Sequence, residues 1–282
     1  MGVWGGAVTA ERAGSAAEVP KQRVAGDRSL RLRQHATEAT GWQEAGMTDR
    51  EMLEGIRSCR LADLSDGMDA IGLVNAGTMS SAMRPIREGI SMAGFAYPVK
   101  LVPTQERAKA CETVEEYMAE LGKWCEDTYA FAAGFADGKG RDMVVVIDMG
   151  GYPGGIWGSA IGMSAMSNGV VGAVIDGGCR DAHECNLEKV KVWCTRRTFN
   201  HVYGRVVNGG VNVPVECAGV TVRPGDIVCG DDDGVLVIPR ERAGEVLEFA
   251  AAVLKGDQRD RAGLYKALDY APDETLGEFG QE

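Results

Sequence analysis

Residues 143–181 read MVVVIDMGGYPGGIWGSAIGMSAMSNGVVGAVIDGGCRD, and the fold class follows from that stretch. Met143 to Ile147 is a continuous apolar, β-branched run, the pattern of a strand covered on both faces. It ends in Asp148 and a glycine-rich segment, Met149-Gly150-Gly151-Tyr152-Pro153-Gly154-Gly155, which reads as a loop. A helix pattern follows over Ser159 to Ser167 and Gly169 breaks it. A second buried strand, Val170 to Ile175, then ends in Asp176-Gly177-Gly178. The two strand ends, Val-Ile-Asp-Met-Gly-Gly and Val-Ile-Asp-Gly-Gly, are near copies. A strand, helix, strand unit of this size predicts a right-handed parallel crossover. Ligands in such sheets sit in the loops beyond the strands' carboxyl ends.

Working outward toward the N-terminus, the periodicity predicts a long amphipathic helix from about Cys111 to Ala136 and an extended stretch over Gly94 to Val102. A short helix is expected near Ser58 to Ile71. Before it, Thr48 with Glu51 three residues on has the form of a capping box, followed by apolar Met52, Leu53 and Ile56 at helical spacing. Residues 1–46 carry Gly, Ala, Arg and Ser in no period and read as a poorly ordered extension. The folded domain is therefore set at 47–254, with 255–282 as a polar C-terminal tail. Toward the C-terminus the chain reads as antiparallel, with strands at Val190–Cys194, Gly204–Val207, Val211–Val215 and Thr221–Val222. The clearest hairpin joins Asp226–Gly230 to Val235–Ile238 through Asp231-Asp232-Asp233-Gly234, where Asp-Gly suits a turn with positive φ. Residues 240–254 read as a terminal amphipathic helix. The whole is α/β with a mixed sheet.

Thirty Lys and Arg against 41 Asp and Glu give a formal charge of −11. That charge repels a polyanion and argues against sequence-independent nucleic-acid binding. No apolar run approaches the roughly 18 to 20 residues needed to cross a bilayer, so neither nucleic acid nor membrane is an expected partner. Eight scattered cysteines in a chain with ample core are expected to be mostly reduced and buried, and no secretory signal opens the sequence. A cytoplasmic location is the expectation.

The most informative pairing is Trp157-Gly158-Ser159-Ala160-Ile161-Gly162 with Asp176-Gly177-Gly178-Cys179-Arg180-Asp181. A glycine-led helix start offers free backbone N–H groups and a positive dipole end to a carboxylate or phosphate. Arg180 adds a fixed planar cation, and Asp181 an oxygen ligand for a hard metal. Together they suit a small anionic keto acid chelated to Mg²⁺, although an Arg-Asp pair after a strand is often a plain surface ion pair.

Gly158, twenty-one residues, then Arg180-Asp181 resembles the motif of the regulator of ribonuclease activity A-like (RraA-like) family, which includes the 4-hydroxy-4-methyl-2-oxoglutarate/4-carboxy-4-hydroxy-2-oxoadipate aldolases. The resemblance continues through Gly209 to Val215, Gly219 to Val228 and Asp231 to Pro239, and covers roughly residues 58–250. It implies an αββα sandwich of the swivelling phosphohistidine-domain kind, with 47–254 as the RraA-like catalytic domain. It also implies a class II, divalent-metal-dependent pyruvate aldolase (Mg²⁺ or Mn²⁺), built as a homotrimer or homohexamer with sites at subunit interfaces. Carried over, Gly158, Ser159, Ala160 and Ile161 hold the substrate carboxylate, Arg180 the keto or enolate oxygen, and Asp181 the metal. Cleaving C3–C4 of a 4-hydroxy-2-oxo acid leaves a pyruvate enolate, and oxaloacetate decarboxylation passes through the same enolate. The alternatives are a non-catalytic regulator of a ribonuclease or helicase, or another keto-acid reaction such as decarboxylation or tautomerisation.

This chain departs from the aldolases in Ser159-Ala160-Ile161-Gly162, where they usually have an acidic residue and Leu-Leu-Ala. Its segment Lys109–Gly140 is longer than the family's connection, and its helix is read as a cover for the pocket or a partner surface. Asp257 and Asp260 are the candidates for the metal-assisting acid that aldolases take from a neighbouring subunit. Asp148 and Asp176 are candidate ligands or bases, set against the commoner role of fixing their own turns. Cys179, His183 and Cys185 form only a loose zinc pattern. His201 falls in a loop between strands. Lys100 raises a Schiff-base mechanism, against a lysine on the solvent face of an edge strand. The Asp231–Asp233 run reads as turn chemistry rather than a Ca²⁺ site.

Overall fold

The computed structural model describes residues 47–281, so the extension expected at 1–46 lies outside the described residues. The chain opens with α1 (Asp49–Arg57) and α2 (Leu61–Ala70). Thr48 caps α1 as expected: its hydroxyl accepts from the Glu51 N–H while its own N–H donates to the Glu51 carboxylate at 2.9 Å. Met52, Leu53 and Ile56 are buried on the inner face of that helix.

The main sheet has eight strands. They are β1 (Arg84–Pro85), β2 (Met92–Pro103), β3 (Met143–Trp157), β4 (Gly172–Cys179), β5 (Val192–Arg197), β6 (Val206–Val211), β9 (Ile227–Gly230) and β10 (Val235–Ile238). Its order is β1-β5-β4-β3-β2-β9-β10, with β6 also on β2. Strand β2 thus carries two antiparallel partners on one edge, β9 along Met92–Phe95 and β6 along Val99–Pro103. A separate hairpin pairs β7 (Val215–Cys217) with β8 (Val220–Val222). This is the mixed-sheet α/β architecture expected.

The crossover β3, α4 (Ser159–Ser167), β4 is parallel, in register from Val144↔Gly172 to Asp148↔Asp176. Val145 and Ile147 face one core layer with Phe131, Phe135 and Trp157. Val144 and Val146 face the other, with Trp193 and the β7–β8 hairpin residues Val215, Val220 and Val222. Two buried faces are why the run contains no polar residue before Asp148.

Three expectations are corrected. The segment Met149–Gly155 is not a free loop but continues β3, pairing Tyr152 with Gly177 and Gly155 with Gly178. The extra residues are absorbed in bulges, for which Gly150 and Gly151 supply positive φ of 58° and 72°. Strand β5 is parallel to β4, because the six-residue helix α5 (Ala182–Leu187), too short to register as a period, carries the chain back across the sheet. The helix expected over Cys111–Ala136 spans only Val114–Thr128 (α3). It starts where Thr113 caps Glu116 and gives way to 3₁₀ turns that sink Phe131 and Phe135 into the core.

The terminal helix α6 runs from Ala243 to Leu268, well past the expected end near residue 254. It crosses α2 so closely that a Cβ on Gly67 would lie 2.5 Å from the Val246 carbonyl. No helix among the described residues is long and apolar enough to cross a membrane. All eight cysteines are free thiols and five of them are buried.

Candidate active site

Strands β3 and β4 end side by side, and this brings the two separated motifs together. The Arg180 N–H donates to the Trp157 carbonyl at 2.9 Å, joining the last residue of β3 to the first beyond β4. Gly158 follows as the N-cap of α4 in ordinary extended backbone, with φ −166°. Glycine leaves room there for the Asp181 carboxylate, since a Cβ would lie 2.5 Å from Asp181 Oδ2 and 3.2 Å from Arg180 Cγ. With no capping side chain, the N–H groups of Ser159, Ala160 and Ile161 precede the first helical bond, Gly162 to the Gly158 carbonyl, and have no helical acceptor.

Asp181 is the informative residue. It stands at the N-cap of α5 with φ 56° and ψ 40°, a left-handed conformation that costs a non-glycine residue on the order of 1 kcal/mol. Aspartate is among the best N-caps, yet its side chain makes no cap hydrogen bond. The carboxylate turns instead toward Gly158, 3.6 Å from Arg180 Nε. Both side chains remain more than a third exposed, at 36% and 38%, so the pair is open to a ligand rather than spent on the core.

The other expected contributors separate cleanly. The Ser159 hydroxyl donates to Glu188 Oε1 at 2.9 Å and Ile161 packs into the core, so what this turn turns toward a ligand is backbone. Cys179 and Cys185 both direct their thiols at the Arg180 carbonyl, at 3.4 and 3.7 Å. Cys179 is held protonated by its thiol neighbours Cys185 and Cys194 and by burial. The cysteines therefore brace the loop under Arg180, and His183 beside them is exposed. Asp257 is engaged by Arg60 at 2.9 Å. Asp231 and Asp232 spend their carboxylates on backbone N–H groups of Leu61, Asp233 and Gly89, as turn residues do.

Lys100 is not on an edge strand. Strand β2 is internal, and Lys100, Asp148 and Asp176 form one cross-strand row, with Lys100 Nζ 2.5 Å from the buried Asp148 carboxylate. Asp148 also accepts from Gly150 N–H at 2.8 Å and so fixes the first bulge of β3. The amine thus balances a buried carboxylate, a structural task that leaves the Schiff-base reading without support.

Two residues gain a place that the sequence did not give them. Tyr129, at the end of α3, and His201, before β6, lie against each other with Tyr129 Oη 3.4 Å from His201 Nε2. Gly155 bonds the Asn200 carbonyl at 2.8 Å, and a Cβ on Gly155 would be 3.1 Å from Arg180 Cβ, so His201 and the Arg180 stem flank one glycine. Burial pushes the Tyr129 phenol well above its ordinary range, with Cys125 adding to the rise and Arg180 opposing it. Burial, then the Arg180 and Arg205 charges, lower His201. A tyrosine ending a helix just before the apolar Phe131 and Phe135 was the available signal for the first. The second had none.

A Gly158→Ala substitution tests the arrangement. Its backbone angles suit alanine, so the melting temperature should hold, while the new methyl displaces the Asp181 carboxylate. If that carboxylate carries a divalent ion, the Mg²⁺ concentration for half-maximal activity should rise on the order of tenfold.

A family model described as RraA-like, Aldolase/RraA, matches residues 61–237. Protein DlpA of Legionella pneumophila is 28% identical over 213 residues, covering 76% of this chain and 31% of DlpA, so this chain spans about a third of that relative's length. A Halalkalibacterium halodurans protein bearing the name "Putative 4-hydroxy-4-methyl-2-oxoglutarate aldolase" is 28% identical over 200 residues, covering 71% of this chain and 82% of that one. The crystal structure of Streptomyces coelicolor RraAS2 superposes with a TM-score of 0.60 at 22% identity, covering 76% of this chain and 98% of RraAS2. At that identity the likeness concerns the fold.

Proposed function

The chain belongs to the Aldolase/RraA family, and from that premise we propose that it is a divalent-metal-dependent lyase that cleaves a 4-hydroxy-2-oxo acid, of the 4-hydroxy-4-methyl-2-oxoglutarate kind, to pyruvate. The observation that carries this reading is Asp181: a strained aspartate at a helix N-cap that withholds its carboxylate from the cap and sets it beside Arg180 and Gly158. Relatives named as aldolases of this substrate support the reaction class.

In this reading the α4 N–H groups of Ser159, Ala160 and Ile161 receive the substrate's C1 carboxylate. Arg180 faces the C2 oxygen, a neutral carbonyl in the substrate and an enolate oxygen once C3–C4 has broken. Its charge is therefore worth more after cleavage than before, which is the condition for catalysis. The base that takes the C4 hydroxyl proton is water in this account, since no side chain among those described is placed to do it. Loss of carbon dioxide from oxaloacetate generates the same enolate and is the expected side activity.

The donor set fits a hard, largely hydrated cation. Among the described residues no three His, Cys, Asp or Glu side chains converge on a cage. Mg²⁺ and Mn²⁺ are commonly held by one or two carboxylates, waters and substrate oxygens, and Asp181 is the carboxylate that would hold one here. Bound there, such an ion supplies Lewis-acid stabilisation of the enolate. The assembly that goes with the reading is a homotrimer or homohexamer, with a neighbouring subunit adding an acidic group. Pyruvate release coupled to lactate dehydrogenase tests the metal requirement: activity with Mg²⁺, its loss in EDTA and its return on adding Mg²⁺ are expected. Equal turnover in EDTA would remove Asp181's role.

A further inference from the structure

The enolate left by C3–C4 cleavage needs a proton at C3 before pyruvate can leave, and none of Gly158, Arg180 and Asp181 can give one. The Tyr129–His201 pair, linked through Gly155 to the Arg180 stem, can. The His201 Nδ1 atom accepts the Tyr203 backbone N–H at 3.0 Å, so its lone pair is taken. A neutral imidazole then carries its proton on Nε2, the atom 3.4 Å from Tyr129 Oη. Nε2–H therefore donates to the phenolic oxygen, and the Tyr129 hydroxyl hydrogen is left free to point elsewhere. The assignment follows from a backbone donor, which can only give, and from the ring orientation that sets Nδ1 against it.

The pair is anchored on both sides. Tyr129 is fixed by its N–H on the Cys125 carbonyl at 2.9 Å and by its ring, 5.8 Å from Phe131 and 6.3 Å from His201. His201 is held by the bridge to Gly155, whose other neighbour is the Arg180 stem. The charges of Arg180 and Asp181 both act on the Tyr129 phenol and on the His201 ring. Tyr129 belongs to the 109–140 segment.

We propose that Tyr129 is the proton donor to C3 of the pyruvate enolate, with His201 as the residue that orients it. The inference rests on the pyruvate-forming reading above. In the step, the enolate electron pair forms the new C3–H bond with the Tyr129 hydroxyl proton while the C2 carbonyl re-forms. The phenolate left on Tyr129, accepting from His201 Nε2–H and facing Arg180, regains a proton from water. The proton that the C4 hydroxyl surrendered to water at cleavage balances it. Run backward, the same phenolate removes a methyl proton from pyruvate.

That reversal gives the test. In D₂O with Mg²⁺, the wild-type protein should exchange the pyruvate methyl protons for deuterium, seen as loss of the methyl signal by proton NMR. Tyr129→Phe keeps the ring and removes the donor. Exchange should fall on the order of a hundredfold, with little change in the pyruvate concentration for half-maximal exchange. His201→Gln restores an N–H near the Nε2 position and should retain more exchange than His201→Ala at equal melting temperature, which a merely structural histidine would not do. Exchange in Tyr129→Phe equal to wild type overturns the proposal, as does equal exchange in the two His201 variants. If the wild type neither exchanges nor releases pyruvate, the lyase reading itself has failed and the proton donor falls with it. If it releases pyruvate without exchange, the lyase stands and Tyr129 is not its acid.

Discussion

Arg180→Ala should lower pyruvate release on the order of a hundredfold or more while leaving the protein folded. The size is that of losing one fixed charge aimed at an oxyanion that forms only in the transition state. The fold should survive because the Arg180 side chain is a third exposed and its charged partner is the equally open Asp181, so no buried carboxylate is orphaned by the change. The backbone bond from Arg180 N–H to Trp157, which joins the strand ends, is untouched by truncation. Arg180→Lys should recover only part of the loss, since a compact ammonium lacks the planar fork that the proposal aims at the enolate oxygen. Steady-state kinetics with a thermal melt checks both halves. A rise in KM alone would make Arg180 a ground-state binding residue, and a melting temperature that drops with activity would place it in the scaffold.

Trp193→Ala should do the opposite, damaging stability first. Trp193 in β5 is fully buried against Gly230, where a Cβ would come within 3.0 Å of its ring, and its indole N–H donates to the Asp231 carbonyl at 2.8 Å. It ties the parallel half of the sheet to the β9–β10 hairpin across one core layer. Truncation leaves a large cavity and an unpaired carbonyl, together costing about 4 kcal/mol. For a domain of this size that corresponds to a fall of roughly 10 °C in melting temperature. An unfolding free energy from urea titration unchanged within about 1 kcal/mol would mean that the layer collapses onto the gap, and that the sheet is joined elsewhere.

What was legible in the sequence was local or repeated. The runs Val144–Ile147 and Gly172–Ile175 lie side by side in register, as continuous apolar strands covered on both faces do. The same registry carries Gly158 to Arg180 and Asp181 despite twenty-one intervening residues, so the core of the site was accessible from two strand ends alone. What was hidden depended on partners distant in sequence. Lys100 reads as a solvent lysine until β2 is seen between two neighbours and Asp148 beneath the amine. The bulged end of β3 reads as a loop because glycines at positive φ are shared by loops and bulges. Tyr129 and His201 are 72 positions apart and belong to segments with no common period, so only the tertiary fold brings them together.

Glycine placement ties these strands of the account together. Gly155 and Gly158 both lie against the Arg180 stem, and Gly158 lies against Asp181 as well, so the β3 end is shaped around that pair. Asp181 itself is held there at φ 56°.

Retro-aldol cleavage to pyruvate is decided by the products formed from 4-hydroxy-4-methyl-2-oxoglutarate and Mg²⁺, followed by proton NMR. Breaking C3–C4 of that acid yields two pyruvates and nothing else, and the account predicts that stoichiometry together with its loss in Arg180→Ala. Intact substrate in the presence of a folded, oligomeric protein, or carbon dioxide in place of the second pyruvate, would contradict it.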